Sequence, residues 1–182
     1  MSAQNFPRIQ SAPLSLDALL SGSERADCGA LAIFAGTVRN HHEGRAVRAL
    51  TYSSYARVAE KLIREIEIEI AARFSVPLCL AVHRVGSLAI GETAILAIAR
   101  GHHRAETFAA MQALVEAVKH RVPIWKEEFY ADGSSAFVNG CTLVAAEDLP
   151  PAESRLHCTP IQSADSRVGF SPPAFAPSSS VG

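Results

Sequence analysis

Long apolar runs are missing from this sequence of 182 residues: no stretch approaches the roughly 20 residues that a helix needs to cross a bilayer. Met1 to Pro13 also lacks a basic segment followed by an apolar one, so it does not read as a signal peptide. A soluble, cytoplasmic protein is the expectation. Cysteine is sparse and scattered, at positions Cys28, Cys79, Cys141 and Cys158, with no Cys-x-x-Cys pair and no histidine pair at zinc-ligand spacing. Disulfide and structural-metal readings are therefore weak, and Cys28 and Cys79, in or beside apolar runs, read as reduced thiols without a catalytic role. No metal and no resident cofactor is expected. Excess charge is absent too, since 17 Lys and Arg against 18 Asp and Glu leave a net charge of −1. That gives no global footprint for nucleic acid or an anionic membrane. Nothing around Gly36-Thr37 or Gly101 forms a G-x-G-x-x-G or Walker pattern, and no internal repeat is present.

What the chain does have is local. Its 48% apolar and 19% charged residues suit one globular domain of about 140 residues plus extensions. Its basic residues gather in three knots: Arg39, His41, His42 and Arg45; Arg100, His102, His103 and Arg104; Lys119, His120, Arg121 and Lys126. Such knots in a near-neutral chain point to a small anion, not a long polyanion. The third contains Lys119-His-Arg-Val-Pro-Ile-Trp-Lys126, two lysines either side of a proline and a tryptophan. Two ammonium groups close together suit anionic chemistry, and a lysine becomes a nucleophile or base when desolvation and neighbouring cations lower its pKa. The plainer account is that Lys119 and Arg121 complement the negative end of a helix stopping before Pro123, with Trp125 in the core and Lys126 in solvent. The octapeptide alone leaves both open.

Periodicity predicts an alternation of strands and helices. Ser15 caps a short helix through Leu20. Residues 29–38 read as a buried strand bounded by glycine, 40–45 as a polar loop, and 47–53 as a second strand. Glu-Ile-Glu-Ile-Glu-Ile over 65–70 has the period of a strand, but Val58, Leu62, Ile66 and Ile70 recur every four residues, which predicts a helix over about 55–74. Strands follow at 78–85 and 93–99, joined through Gly86 and Gly91. Arg104 to about His120 is a second long helix with Phe108, Met111, Leu114, Val115 and Val118 on its apolar side. Pro123 ends it, and 124–130, the turn Asp132-Gly133 and 135–138 close as a hairpin. The fold class expected is α+β, two main helices packed on a mainly antiparallel sheet. The chain divides into an N-terminal extension over 1–27 with a short helix, a domain over 28–140, and a Pro/Ser/Ala-rich extension over 141–182, expected to be flexible, whose composition shifts from about Leu149.

A cation at a helix N-terminus opposes the helix dipole at a cost of a few tenths to about 1 kcal/mol. His103 and Arg104 nevertheless stand there. A bound phosphate or carboxylate would resolve the conflict, although an arginine that reaches into water tolerates it equally well. Arg39 leaves the end of an apolar strand, where side chains are either aimed into a cleft or solvated. Lys119 lies about 22 Å along the helix from Arg104, so a site using both is elongated or assembled between chains.

Thr37-Val-Arg39 before a polar loop, His83-Arg-Val-Gly86 with Gly91-Glu92, His103-Arg-Ala-Glu106 opening a helix, and Lys119 to Glu127 together resemble the large, catalytic subunit of molybdopterin synthase, in order from about Cys28 to Val138. The resemblance implies an α/β hammerhead-like fold with an additional small β-sheet. It also implies a homodimer within a heterotetramer, with a small ubiquitin-like sulfur-carrier subunit at each end. The small subunit's C-terminal thiocarboxylate would supply sulfur, and two successive transfers onto cyclic pyranopterin monophosphate would give the dithiolene of molybdopterin. Carried over by position, Arg39, His103 and Arg104 hold the substrate's phosphate and pterin. Lys119 and Lys126 stand at the sulfur-transfer centre, and Thr37, Val38, Glu127 and Glu128 line the pocket. Ser53-Ser54-Tyr55 departs from the family where an acid is usual, and Phe137 replaces a usual tryptophan, read as a packing change. The competing readings are a non-catalytic docking module for the tail of a ubiquitin-like protein and a small phosphate-metabolite regulator.

Overall fold

Nine strands and three helices make up the described residues, 6–138, of the computed structural model; the expected extension over 141–182, with Cys141 and Cys158, lies outside them. In chain order the elements are β1 (Ile9–Gln10), α1 (Leu16–Gly22), β2 (Ala30–Thr37), β3 (His41–His42), β4 (Arg45–Ser54), α2 (Ala56–Arg73), β5 (Leu78–Arg84), β6 (Gly86–Ala89), β7 (Thr93–Gly101), α3 (Arg104–Arg121), β8 (Ile124–Tyr130) and β9 (Ser135–Val138). One sheet has the order β1-β5-β7-β2, antiparallel except for the parallel β1–β5 pair. The other runs β3-β4-β8-β9, with β6 also paired to β4. The protein is thus α+β, as the periodicity indicates.

The two long helices pack on one face of the first sheet. Ile63, Ile66 and Ile70 of α2 and Leu114 and Val118 of α3 meet Ala81, Ala97 and Ala99, whose small side chains let the helices approach closely. Each fully buried leucine or isoleucine contributes roughly 1.5–3 kcal/mol relative to exposure. Strands alternate their side chains, so Leu80, Val82, Leu96 and Ile98 point to the other face, where Leu19 of α1 covers them. The Ser15 hydroxyl caps α1, accepting from the Ala18 N–H at 3.2 Å.

Several local expectations change. Strand β2 is an edge strand, and Leu31 and Ile33 are exposed while Ala32 is buried, so it is not apolar-in throughout. The loop over 40–45 contains a short hairpin: Glu43 and Gly44 both take left-handed φ values, 47° and 77°, which suits a two-residue turn between β3 and β4. The Gly86–Gly91 connection carries β6. Phe108 is 65% exposed because the buried stripe of α3 runs through Thr107, Ala110, Met111 and Leu114 instead. Val58 is likewise outside the buried face of α2.

The N-terminal strand is fastened by charge. Arg8 and Glu67 are both buried, with guanidinium nitrogens 2.9 Å from each carboxylate oxygen. Glu67 Oε1 also accepts the Ala81 N–H at 2.8 Å, while the Arg8 carbonyl accepts the His83 N–H at 2.8 Å. A buried pair is costly to break because the surviving charge has no water. Arg8→Ala is expected to lower unfolding free energy by about 3–5 kcal/mol in urea titration. A loss below about 1 kcal/mol, the range of an exposed pair, would contradict this account.

Candidate functional site

A cavity of about 490 Å³ lies where α3 and the two sheets meet. Its walls include Thr37 at the end of β2, Arg39 just beyond it, Lys119 in the last turn of α3 and Lys126 on β8. Local chain geometry explains the convergence. The β2–β7 register shifts between Gly36 and Thr37, and Val38 exchanges backbone hydrogen bonds with the Gly91-Glu92 turn at 2.9 and 3.0 Å. Val38 itself is buried in a separate cluster with Leu50 and Leu88, which turns its neighbours Thr37 and Arg39 to the cavity. Gly36 also lines the cavity, and a Cβ there would lie 2.6 Å from Ile95 Cγ2. Only glycine lets the strand pass that close.

Strand alternation separates the residues of β8. Lys126 Nζ is 2.7 Å from Glu128 Oε1, two residues along the same face. Glu128 is buried and also receives the Tyr130 hydroxyl at 3.0 Å and His42 Nδ1 at 2.9 Å. Burial alone would raise the Glu128 carboxyl; the Lys126 ammonium, then Tyr130 and His42, outweigh it and hold the group below its ordinary value. Glu128 thus anchors Lys126 from behind and does not line the cavity. Glu127 faces the opposite side, accepting from the Ser135 hydroxyl at 2.9 Å. Lys119 lies with its ammonium 5.8 Å from the centre of the Phe34 ring, and no carboxylate among the described residues pairs with it.

His103 and Arg104 are not in this cavity. They stand exposed at the other end of α3, about 22 Å away by helix rise. The helix N-terminus already has an acid: Glu106 Oε1 accepts the His103 N–H at 2.6 Å. Hydrogen bonds from the Glu106 and His103 backbones hold that carboxyl below its usual range. Sequence proximity of basic residues therefore misstates their grouping. Arg100 binds the Leu20 carbonyl and Ser23 hydroxyl, His102 the Asp27 carbonyl, Arg45 Asp132, and Arg121 Glu69. Of the three knots, only Arg39, Lys119 and Lys126 reach the cavity.

Sequence reasoning passed over Phe34, Tyr52 and His83 as cavity residues. Phe34 and Gly36 were legible as the helix-side positions of β2 by alternation with Ala32. Tyr52 pairs with both Gly86 and Lys126 in the second sheet, a position that only the fold reveals. The Tyr52 and His83 rings meet edge to face with centroids 4.8 Å apart. Burial raises the Tyr52 phenol and pushes the His83 imidazole down to about 4, against a hydrogen bond to the Arg84 carbonyl. Of the two departures from the family pattern, Phe137 is 71% exposed and so replaces no core contact. The Ser54 hydroxyl is buried without a partner among the described residues.

A family model described as MoaE protein matches residues 9–121, ending before Lys126. The molybdopterin synthase catalytic subunit of Nostoc sp. is 34% identical over 132 residues, 72% of this chain and 80% of the relative. The crystal structure of molybdopterin synthase from Staphylococcus aureus superposes with a TM-score of 0.68 at 30% identity, covering 72% of this chain and 95% of that one. A complex of subunits 1 and 2 of molybdopterin-converting factor from Helicobacter pylori shares the fold at 20% identity, TM-score 0.59, over 72% of this chain and 88% of that one.

The neutral state of His83 has a consequence for stability. An imidazole of the unfolded chain gains its proton near 6.5, whereas the folded one waits until about 4. Between those values the unfolded state binds more protons, so stability falls as pH falls, by up to about 3 kcal/mol across the window. Urea unfolding of the wild type from pH 7 to 4 should show this steeper fall, and His83→Asn should flatten it; parallel profiles for the two proteins would refute it.

Proposed function

We propose, from the premise that this chain belongs to the MoaE protein family, that it is the catalytic subunit of a molybdopterin synthase. It converts cyclic pyranopterin monophosphate to molybdopterin, taking sulfur from the C-terminal thiocarboxylate of a small ubiquitin-like subunit. The observation that carries the reading is the gathering around one cavity of Arg39, from just beyond β2, with Lys119 and Lys126, from either side of the elbow between α3 and β8. A docking module for a carboxylate tail needs one cation there. Three suit a substrate phosphate together with an incoming thiocarboxylate.

Arg39 binds the phosphate in this scheme, its planar fork matching two phosphate oxygens. Lys126, held by Glu128, offsets the negative charge that develops as sulfur is transferred. Lys119, with no carboxylate partner among the described residues, is the base or the transient acyl acceptor at the tail's carbonyl. Thr37 contributes a hydroxyl to the same wall, while Val38, Glu127 and Glu128 act by positioning the residues beside them. His103 and Arg104 meet this substrate only from a second copy of the chain, which the homodimer within a heterotetramer supplies. The small sulfur-carrier subunit occupies the open side of the cavity. No helix among the described residues is long and apolar enough to cross a membrane, and we place the reaction in the cytoplasm.

The test is reconstitution with a thiocarboxylated partner and cyclic pyranopterin monophosphate, reading dithiolene product by mass. Lys119→Ala is expected to reduce single-turnover sulfur transfer by about 10²–10⁴ while substrate binding largely survives. Unchanged transfer would remove Lys119 from the mechanism. Arg104→Ala should instead weaken pterin binding about tenfold or more; an unaltered dissociation constant would argue against phosphate anchoring there.

A further inference from the structure

The sequence motif His83-Arg-Val-Gly86 with Gly91-Glu92 has two parts with different work. Arg84 Nη1 is 2.9 Å from Glu92 Oε1, and Glu92 Oε2 accepts the Ala89 N–H at 2.8 Å, so these two residues close the connection between β5 and β7. His83 takes no part in that. It is buried in the cavity wall, with Nδ1 2.8 Å from the Arg84 carbonyl oxygen. A carbonyl only accepts, so Nδ1 carries the hydrogen and Nε2 is left as a lone pair. No donor among the described residues meets Nε2. Among the described residues Ser54 Oγ is the side-chain nitrogen or oxygen atom that is both buried and unpartnered, so the unpartnered Nε2 keeps some exposure, and His83 is part of the cavity lining.

The other polar walls have the opposite character. Arg39, Lys119 and Lys126 donate and cannot accept, and the Thr37 and Tyr52 hydroxyls do either. Those cations select for negative charge but leave the remainder of a ligand unread. A phosphate or carboxylate set against Nε2 would face lone pair to lone pair. The cavity of about 490 Å³ is large enough for a fused heterocycle as well as its anionic group.

We propose that His83 is a substrate-contacting, specificity-determining residue whose Nε2 accepts a hydrogen bond from an N–H group of the bound pterin ring system. The ligand then lies with its anionic end at Arg39 and the lysines and its donor-bearing ring at His83. The identity of that ring rests on the molybdopterin synthase reading. A buried acceptor deprived of its donor, or a donor of its acceptor, is penalised heavily, so an anion lacking the N–H is rejected.

With the full chain, a thiocarboxylated partner and cyclic pyranopterin monophosphate, His83→Asn removes the group at the Nε2 position while retaining an amide near Nδ1. It is expected to raise KM for the pterin about tenfold or more, with kcat changed less than about threefold. His83→Gln, whose amide reaches the Nε2 position, should recover most of the loss. Wild-type turnover with an unaltered KM in His83→Asn overturns the assignment alone; a wild type that yields no dithiolene overturns the molybdopterin synthase reading and this assignment with it. A measurement independent of variants is nitrogen-15 NMR of the wild-type imidazole. Nε2 should be unprotonated and should move upfield on adding the pterin but not on adding inorganic phosphate. A protonated Nε2, or the same shift with phosphate alone, counts against the assignment.

Discussion

Between the last turn of α3 and the start of β8 the chain has only Val122 and Pro123 in which to reverse. Val122 is fully buried and donates its N–H to the Val118 carbonyl at 3.2 Å, while Ile124 donates to Val122 at 2.8 Å. Pro123 has no N–H to leave unsatisfied at that elbow, and it forbids the helix from continuing. Lys119 lies three residues before this reversal and Lys126 three after it. The cavity therefore acquires one lysine from a helix end and one from a strand. They are not equivalent: the strand lysine is fixed by a buried carboxylate, and the helix lysine is not.

That difference follows from how sheets handle charge. On β8, alternation puts Lys126, Glu128 and Tyr130 on one side and Trp125, Glu127 and Phe129 on the other. A buried glutamate without partners would be expensive, and Glu128 has Lys126, Tyr130 and His42. Its charge is spoken for, so it does not neutralise Lys119 or Arg39 as well. The cavity is left with a positive excess that an anionic ligand offsets. Elsewhere Arg121, Arg45 and Arg84 are matched by Glu69, Asp132 and Glu92, and Arg100 by the Leu20 carbonyl.

How much of this was legible depended on whether the controlling interaction was local. The helix over 65–70 could be separated from a strand because the apolar spacing from Val58 to Ile70 persisted over about three turns, and Ser15, Pro123 and Asp132-Gly133 marked ends by their own backbone chemistry. Strands β1 and β6 were not legible, since two or four residues carry too little pattern and their pairing partners lie dozens of residues away. Nothing in the sequence sets Glu67 apart from Glu65 and Glu69; its contact with Arg8, 59 residues distant, makes it part of the core. His103 and Arg104 look misplaced against the helix dipole until Glu106 is seen to serve that helix end. Lys119 and Lys126 were legible because an elbow two residues long cannot carry them far apart. His83 was visible as part of a motif, but its chemistry required knowing which ring nitrogen the Arg84 carbonyl occupies.

The edge of the first sheet links the remaining loose ends. Strand β2 has β7 on one side only, and the exposed Leu31 and Ile33 lie on the face that α1 leaves uncovered. Its first residue, Ala30, pairs with Gly101, three residues before Arg104, and its last, Thr37, lines the cavity. Arg104 and the cavity thus lie toward opposite ends of one open edge. A two-fold axis through the middle of that edge would pair β2 with its own copy antiparallel, setting the start of one strand against the end of the other. Such pairing would set the exposed leucine and isoleucine beside their counterparts on an extended sheet face and carry each Arg104 toward the other chain's Arg39. The separation along α3 that keeps Arg104 from Arg39 within one chain would then be bridged between two chains.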